Sequence, residues 1–385
     1  MTTIDYAPLA GETLADPYPM YRALQERGPV VWGETMGGWV VTGFDQAALA
    51  LSDQHFSAAG RPPQRSGPPT TMVTADPPEH TRLRRLISKA FTARAVEDMR
   101  PRIQAIVDGL LNNVDGDRMD VARDLAAHVP IMVIAEMLAV PVEMRQTFRR
   151  WTDEGMMAII GRHASDEDKA RMQRSGRELR DYFRQVIAER RRDPGDDLIS
   201  ALIAAEDEGR AMGDAEVMDN CTLLLTAGNE TTTSLIANGM HQLLRHPSQL
   251  DRLRRAPSLL NSAVEEMLRF DPAVHCVTRR VKASIELDGA TLEPRQVVFA
   301  VIAAANRDPA KFDRPDEFDI DRQPNSHLGF GDGMHFCLGA PLARAEAQIA
   351  IEALVERFPK MKLAGEVRYE GHFILRRATQ LPVSL

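Results

Sequence analysis

The chain has 385 residues, 44% of them hydrophobic and 26% charged, the usage of an ordinary globular protein and not of a disordered, collagen-like or coiled-coil one. Its 55 acidic and 47 basic residues leave a net charge of -8, which disfavours a general nucleic-acid binder because phosphate contacts need concentrated lysine and arginine. Three widely separated cysteines, Cys221, Cys276 and Cys337, assemble neither a disulfide framework nor a thiolate zinc cluster, and point to a reducing, cytoplasmic setting. The longest apolar run covers only residues 297–305, against roughly 20 for a membrane-spanning helix. Residues 1–17 show no basic region followed by an apolar stretch, so no secretory signal is read there.

Near the N-terminus, Pro29-Val30-Val31-Trp32 and Trp39-Val40-Val41-Thr42 flank a glycine-containing turn and predict a β-hairpin. The Pro/Gly/Ser/Thr-rich stretch 57–76 is too broken for a helix; it reads as a mobile functional loop in preference to a linker, because the chain beyond residue 76 does not look like a new domain. Apolar residues at three-to-four spacing, as in Ile103, Ile106, Val107 and Leu110, predict helices from His80 to about Ala204, divided by Pro101, Pro130, Pro141 and Pro194. Residues 214–246 form the longest helix candidate, with Asp214 as N-cap and Pro247 just beyond its end. Its middle, Thr226-Ala227-Gly228-Asn229-Glu230-Thr231-Thr232-Thr233, is a run of poor helix formers, so a local distortion is expected there. A helix over 258–270, β segments at 285–289 and 297–301, a helix over about 338–358 and a β-pair within 369–383 complete the chain. No internal repeat and no linker is found, so the expectation is one domain over residues 1–385, mainly α with a smaller β-rich region.

The strongest chemical signal is Phe330-Gly331-Asp332-Gly333-Met334-His335-Phe336-Cys337-Leu338-Gly339, a glycine-rich loop that delivers a cysteine to the start of a helix. Backbone N–H groups and the helix dipole at such a position favour a thiolate, and glycines let the backbone approach a flat ligand. A lone cysteine is more often a small buried hydrophobe; the ten-residue context singles this one out.

This loop resembles the cysteine-ligand loop of the cytochrome P-450 family, the haem-thiolate monooxygenases. Asp16-Pro17-Tyr18-Pro19, Asp76-Pro77-Pro78-Glu79-His80, the broken central helix, the segment Glu266 to Arg269, and Asn306-Arg307-Asp308-Pro309 extend the resemblance, in the family's order, over essentially the whole chain. It implies the cytochrome P-450 fold, a single domain crossed by a long central helix, and haem b (iron protoporphyrin IX) with Cys337 as axial thiolate, a ligand that favours O–O cleavage. Phe330, Gly331 and Gly339 would line the proximal side and Ala227 the distal side. Glu230 and Thr231 resemble the family's acid-alcohol pair, whose hydroxyl bonds the carbonyl four residues back and which relays protons during dioxygen activation. His80 and Arg84, four apart on one helix face, Arg279, read as preceding a strand, and His335 match the propionate partners. Glu266 and Arg269 match a structural Glu-x-x-Arg pair, with Arg322 as a third member; an ordinary surface pair between Glu265 and Arg269 is the alternative.

Family positions put the substrate pocket at the loop before Met72, Met156 to Ile160, Leu223, Thr226, Ala227, His275 to Val277, Ile374 and Leu375, mostly apolar as for a lipophilic substrate. Thr226 and His275 are its polar handles, with a histidine bonded to nearby backbone as the plain alternative for His275. No reductase domain follows the loop, so electrons are expected from a ferredoxin or flavodoxin with its NAD(P)H-dependent reductase, docking on a basic patch of Arg82, Arg84, Arg85, Lys89 and Arg344. Some of these arginines instead face propionates or neighbouring acids on the alternative reading. The implied activity is insertion of one oxygen atom from O2 into a small or medium lipophilic substrate by a monomer, with no membrane or nucleic-acid partner. Two rivals remain: a hydrogen-peroxide-dependent peroxygenase, disfavoured by Glu230-Thr231, and a non-catalytic haem-binding recruitment module, disfavoured by the complete motif set.

Overall fold

The computed structural model describes residues 6, 11–59, 71–160, 165–371 and 374–385; much of the 57–76 stretch, residues 60–70, lies outside them. Residue contacts divide the chain into two units, one of Pro62–Ile106 and Ala127–Glu230, the other of Met1–Arg61, Val107–Ala126 and Thr231–Leu385.

The first unit is built of helices. After a single 3-10 turn at Met72–Thr74, α1 (Glu79–Ala90) buries Leu83, Leu86 and Ile87 on one stripe at helical spacing. α2 (Arg145–Ile160) packs along α3 (Asp166–Arg192) through Phe148, Trp151, Tyr182 and Phe183, whose ring centroids lie 5.0 to 6.2 Å apart. A reciprocal cap starts α3: Ser165 Oγ accepts from the Asp168 N–H, and the Asp168 carboxylate accepts from the Ser165 N–H. The longest helix, α4 (Asp214–Arg245), begins in this unit and ends in the other.

Two expectations about these helices change. α4 runs as continuous helix through 226–233, but its polar groups there are met unevenly: the Thr226 hydroxyl bonds the Thr222 carbonyl at 2.9 Å, the Thr233 hydroxyl leaves the helix for the Ala126 carbonyl at 3.1 Å, and the buried Asn229 Oδ1 has no partner among the described residues. Pro101 does not divide the helical region either, but sits inside the helix Ala93–Asn112. Burial of Val96, Met99, Ile103, Ile106 and Val107 offsets the hydrogen bond that the proline removes. Pro130, Pro141 and Pro194 do fall at helix boundaries.

The second unit holds all the sheets described except the short hairpin Glu206–Ala211. β1 (Val30–Gly33), β2 (Gly38–Val41), β3 (Phe56–Ser57), β4 (Val277–Val281) and β5 (Val297–Ala300) form one sheet in the order β1-β2-β5-β4-β3. The predicted hairpin pairs Val30 with Val41 and Gly33 with Gly38; β5 joins β2 in parallel and β4 antiparallel. Arg279 lies within β4 opposite Val298 and, as expected, ahead of the strand Ile285–Leu287. The helix Phe44–Ser52 lies against the sheet, where Val41, Phe44, Ala47, Leu51, Val281, Val298, Phe312 and Leu328 share one core. The closing β-pair is Arg368–Gly371 against Arg376–Gln380. Among the described residues, no helix is long and apolar enough to cross a membrane.

Within this unit α5 (Leu260–Phe270) precedes a long irregular segment, and α6 (Ala340–Arg357) comes after it. Glu266 and Arg269, both without exposed surface, form a bidentate pair at 2.8 Å. The third member is indeed Arg322, whose Nε reaches Glu266 Oε1 at 3.3 Å; Glu265 pairs elsewhere, so the surface-pair alternative does not hold. Arg269 also donates to the carbonyls of Asn306, Pro315 and Glu317. Removing one partner of a buried pair leaves the other charge uncompensated at a cost of roughly 3–5 kcal/mol. Arg269→Ala is therefore expected to lower the urea midpoint by an amount equivalent to about 3–5 kcal/mol, and an unchanged midpoint would sink this account.

Candidate active site

The cysteine loop is shaped by two left-handed glycines, Gly331 (φ 75°) and Gly333 (φ 63°), on either side of Asp332, whose carboxylate accepts from the Gly333 N–H at 2.7 Å. A Cβ at Gly333 would stand 2.6 Å from Ser52 Cα, so only glycine lets the loop lie on the Phe44–Ser52 helix. The chain returns through the Cys337 N–H, which donates to the Phe330 carbonyl at 2.9 Å. Cys337 then stands exposed, three residues before α6, at the positive end of an 18-residue helix. Cys221 and Cys276 are buried, and loss of hydration pushes their thiols up to about 12. Of the three cysteines, Cys337 alone offers sulfur to a ligand.

A support for this loop was hidden in the sequence. Arg344, read there as part of a docking patch, donates two hydrogen bonds to Glu265, at 2.6 and 2.8 Å, and lies 4.6 Å over the ring of Phe330. Although burial raises it, hydrogen bonds from Arg344 and His327 bring the Glu265 carboxyl down to about 2. The Arg344 proton is held first by Glu265 and further by the sulfur of Cys337. No spacing rule links Glu265 to Arg344, 79 residues later.

The rest of the basic patch also has other work. Arg82 bonds Glu79 and Glu216, Arg85 bonds Asp207 at 2.9 and 3.0 Å, and Lys89 bonds the Glu206 carbonyl. These cations tie α1 to the start of α4 and to the short hairpin Glu206–Ala211; Arg82 and Arg85 thus face neighbouring acids, as the alternative reading held for some of the patch.

His80 and Arg84 share a face of α1: burial first, and then the Arg84 charge, lower the His80 imidazole below its ordinary range. In the other unit, Arg279 is half-buried on β4 and His335 half-buried in the turn Gly333–His335. In α4, Asn229 and Glu230 are buried, Thr231 half-buried, and Ala227 and Gly228 exposed. Leu223 and Thr226 are half-buried, and a Cβ at Gly155 of α2 would be 3.7 Å from the Thr226 methyl, so α2 passes close to Thr226. Met156 follows on α2; its side chain lies outside the described residues.

The structure brings Val274 and His275 against Ile374 and Leu375: the His275 N–H donates to the Ile374 carbonyl at 2.7 Å, and Val274 bridges Leu375. His275 itself is fully buried. Its Nδ1 shares a hydrogen bond of 2.9 Å with the Tyr21 hydroxyl, and its Nε2 lies 3.9 Å from Asp271 Oδ1. Asp271 is held in turn by Arg376 and Gln242 at 2.8 Å and by the Tyr18 hydroxyl at 3.1 Å. The imidazole is thus part of an enclosed polar network, the plainer of the two readings: it has a hydrogen bond to the nearby Pro272 backbone as anticipated, with the Tyr21 hydroxyl as a further partner.

Burial, with the Arg376 charge second, pushes His275 down to about 3. A histidine depressed on folding contributes stability that is complete above its unfolded value of about 6.5 and is lost as pH falls toward the folded one. His275→Gln is expected to unfold with a shallower pH dependence between about pH 6.5 and 3; an unaltered slope in acid denaturation would refute this. In the folded, haem-free protein, iodoacetamide should alkylate Cys337 alone, with Cys221 and Cys276 reacting only in denaturant; peptide mapping checks it.

The donor chemistry suits an iron porphyrin: in one unit an open thiol stands at a helix N-terminus, with the half-buried cation Arg279 and the half-buried His335 available to carboxylates.

The cytochrome P-450 family model matches residues 19–367. The chain is 41% identical to the cytochrome P-450 monooxygenase PikC of Streptomyces venezuelae, over 99% of this chain and 94% of that one. It is 39% identical to the 6-deoxyerythronolide B hydroxylase of Saccharopolyspora erythraea, over 96% of each chain. The crystal structure of P450BioI in complex with hexadec-9Z-enoic acid ligated acyl carrier protein superposes with a TM-score of 0.91 at 37% identity, covering 97% of this chain and 100% of that one. A cysteine loop of this geometry, matched along nearly the whole sequence by enzymes of one kind, makes the chain a member of the cytochrome P-450 family and a haem-dependent monooxygenase.

Proposed function

We propose that the chain is a single haem domain, active as a monomer in the reducing cytoplasm, that holds iron protoporphyrin IX through the Cys337 thiolate and oxygenates a lipophilic substrate of small or medium size. Bound haem supplies the iron at which dioxygen is activated. The protein contributes the thiolate, kept charged by the N-terminus of α6 and by Arg344, and His80, Arg84, Arg279 and His335 as partners for the two propionates. Phe330, Gly331 and Gly339 flank the sulfur, with Gly339 leaving the room that a Cβ 3.9 Å from Sγ would take.

Glu230 and Thr231 hold and pass protons from α4; a buried carboxyl beside a half-buried hydroxyl suits that role, and Ala227, four residues before Thr231, adds no bulk. Met156, Leu223, Thr226, Val277, Ile374 and Leu375 line the substrate pocket, and His275 supports it from the enclosed network without touching substrate. Electrons come from a separate ferredoxin or flavodoxin and its reductase. The likeness to P450BioI supports a substrate with a long hydrocarbon chain, offered free or on a carrier protein. The hydroxylase among the relatives supports insertion into a C–H bond.

The single observation that carries this reading is the exposure of Cys337 at a helix N-terminus while the other two thiols are sealed. Its test is the absorption spectrum of the reduced, carbon monoxide-treated protein. A strongly red-shifted Soret band that disappears in Cys337→Ala is expected, and a band without that shift would remove Cys337 as ligand. Glu230→Gln should lower kcat by about 100-fold with substrate affinity unchanged; steady-state turnover with a surrogate redox partner would reveal it.

A further inference from the structure

α3 holds nine Lys or Arg against six Asp or Glu, in a chain whose net charge is -8. Lys169, Arg171, Arg184, Arg190 and Arg191 pair with carboxylates, but Arg174, Arg177 and Arg180 carry charge that the fold does not use. The buried face is fixed by Ser175, Leu179, Phe183, Val186 and Ile187. At about 100° per residue, Arg174, Arg177, Arg180 and Arg184 fall away from that face over roughly 15 Å of helix. Arg174, Arg177 and Arg184 are exposed and Arg180 half-buried.

Arg184 pairs with Asp181 at 2.5 Å, whereas Arg174, Arg177 and Arg180 form no ion pair among the described residues. Glu178, the carboxylate nearest Arg174 in charge, already accepts from Arg150 and Trp151. Like charges one turn apart disfavour a helix, so the stripe gives the folded chain nothing by itself. The ridge is also wrong for a lipid surface: among the described residues, none of the large exposed apolar side chains, Val73, Met334, Phe336 and Leu363, lies on α3. Unspent cations on a rigid helix, without apolar anchors, match an acidic protein surface.

We propose that the outward face of α3 docks an acidic carrier protein that presents the substrate as a tethered acyl chain, with Arg174, Arg177 and Arg180 pairing with carboxylates on one of its helices. This rests on the lipophilic-chain reading above. The free acid and the carrier-bound acid differ only in the carrier, so contacts of the carrier with α3 act on one and not the other.

The test compares the wild-type holoenzyme with R174E/R177E/R180E, each titrated with hexadec-9Z-enoic acid free and attached to acyl carrier protein, by calorimetry and by the Soret shift. The triple variant should bind the carrier-bound acid at least about tenfold more weakly, bind the free acid as wild type does, and lose the salt dependence that wild type shows. R174Q/R177Q/R180Q should fall between the two, with the circular dichroism spectrum and carbonyl band of all three proteins alike. Equal affinity of variant and wild type for the loaded carrier would overturn the proposal. So would a variant that differs only in slower reduction by ferredoxin, or only in weaker binding to phosphatidylglycerol vesicles. A missing carbonyl band would instead defeat the haem reading, and a free acid without effect on the Soret band the substrate reading, while calorimetry with the carrier still decides the docking.

Discussion

Glu266 is a carboxylate with no exposed surface, and the arrangement of the cysteine-bearing unit follows from the need to compensate it. An ion in that position costs several kcal/mol unless every lone pair is met. Arg269, Arg322, Asn325 and the Asp319 N–H all converge on its two oxygens. The arginines then spend their remaining donors on carbonyls of Asn306, Asp313, Arg314, Pro315 and Glu317. A segment with little regular secondary structure is thereby given the backbone partners that a helix or sheet would supply. Its irregularity is held by charge.

The thiol is reached through the same set of contacts. Asn306, whose carbonyl serves Arg269, uses its side-chain oxygen to accept from the Leu328 N–H at 2.8 Å, just ahead of the cysteine loop. Adjacent acids on α5 thus face two tasks: Glu266 fixes the loop's approach from inside, and Glu265 fixes Arg344 beside the sulfur. The other motifs end nearby. Tyr18 bonds the Phe270 carbonyl, and Arg307 is stacked between the rings of Tyr18 and Phe270 at 3.4 and 3.7 Å. Asp308 accepts from the Phe44 N–H and so anchors the helix on which Gly333 rests.

What the sequence revealed was what is local. Periodicity and proline placement located most helices, the alternation around residues 30–41 located the hairpin, and ten consecutive residues located the thiol. Errors arose where tertiary contacts override a local preference. Pro101 is tolerated because the faces beside it are buried, and the run of poor helix formers in α4 stays helical, with Thr226 bonded inside the helix and Thr233 to the Ala126 carbonyl outside it. The basic residues of α1 illustrate the harder case: one face of a helix can be read from spacing, but not that Glu216 and Asp207 lie opposite it. His275 is similar, since nothing in its neighbourhood announces a hydroxyl at Tyr21, 254 residues earlier. The Glu-x-x-Arg pair was legible because its spacing is local, and its link to Arg322 because the family pattern supplied what spacing could not.

Arg376 donates to the carbonyls of Leu14 and Ala15, 362 and 361 residues before it, and to Asp271 between them. During synthesis on the ribosome, those N-terminal carbonyls and that carboxylate emerge long before the guanidinium that joins them. Asp271 and the segment around Leu14 must therefore wait in water, and the region they share closes only when translation has passed Arg376. Residues 127–230 need no such late arrival, for the contacts that define their unit are complete once residue 230 has emerged. The contacts that seal Asp271, by contrast, are among those whose last partner is made latest.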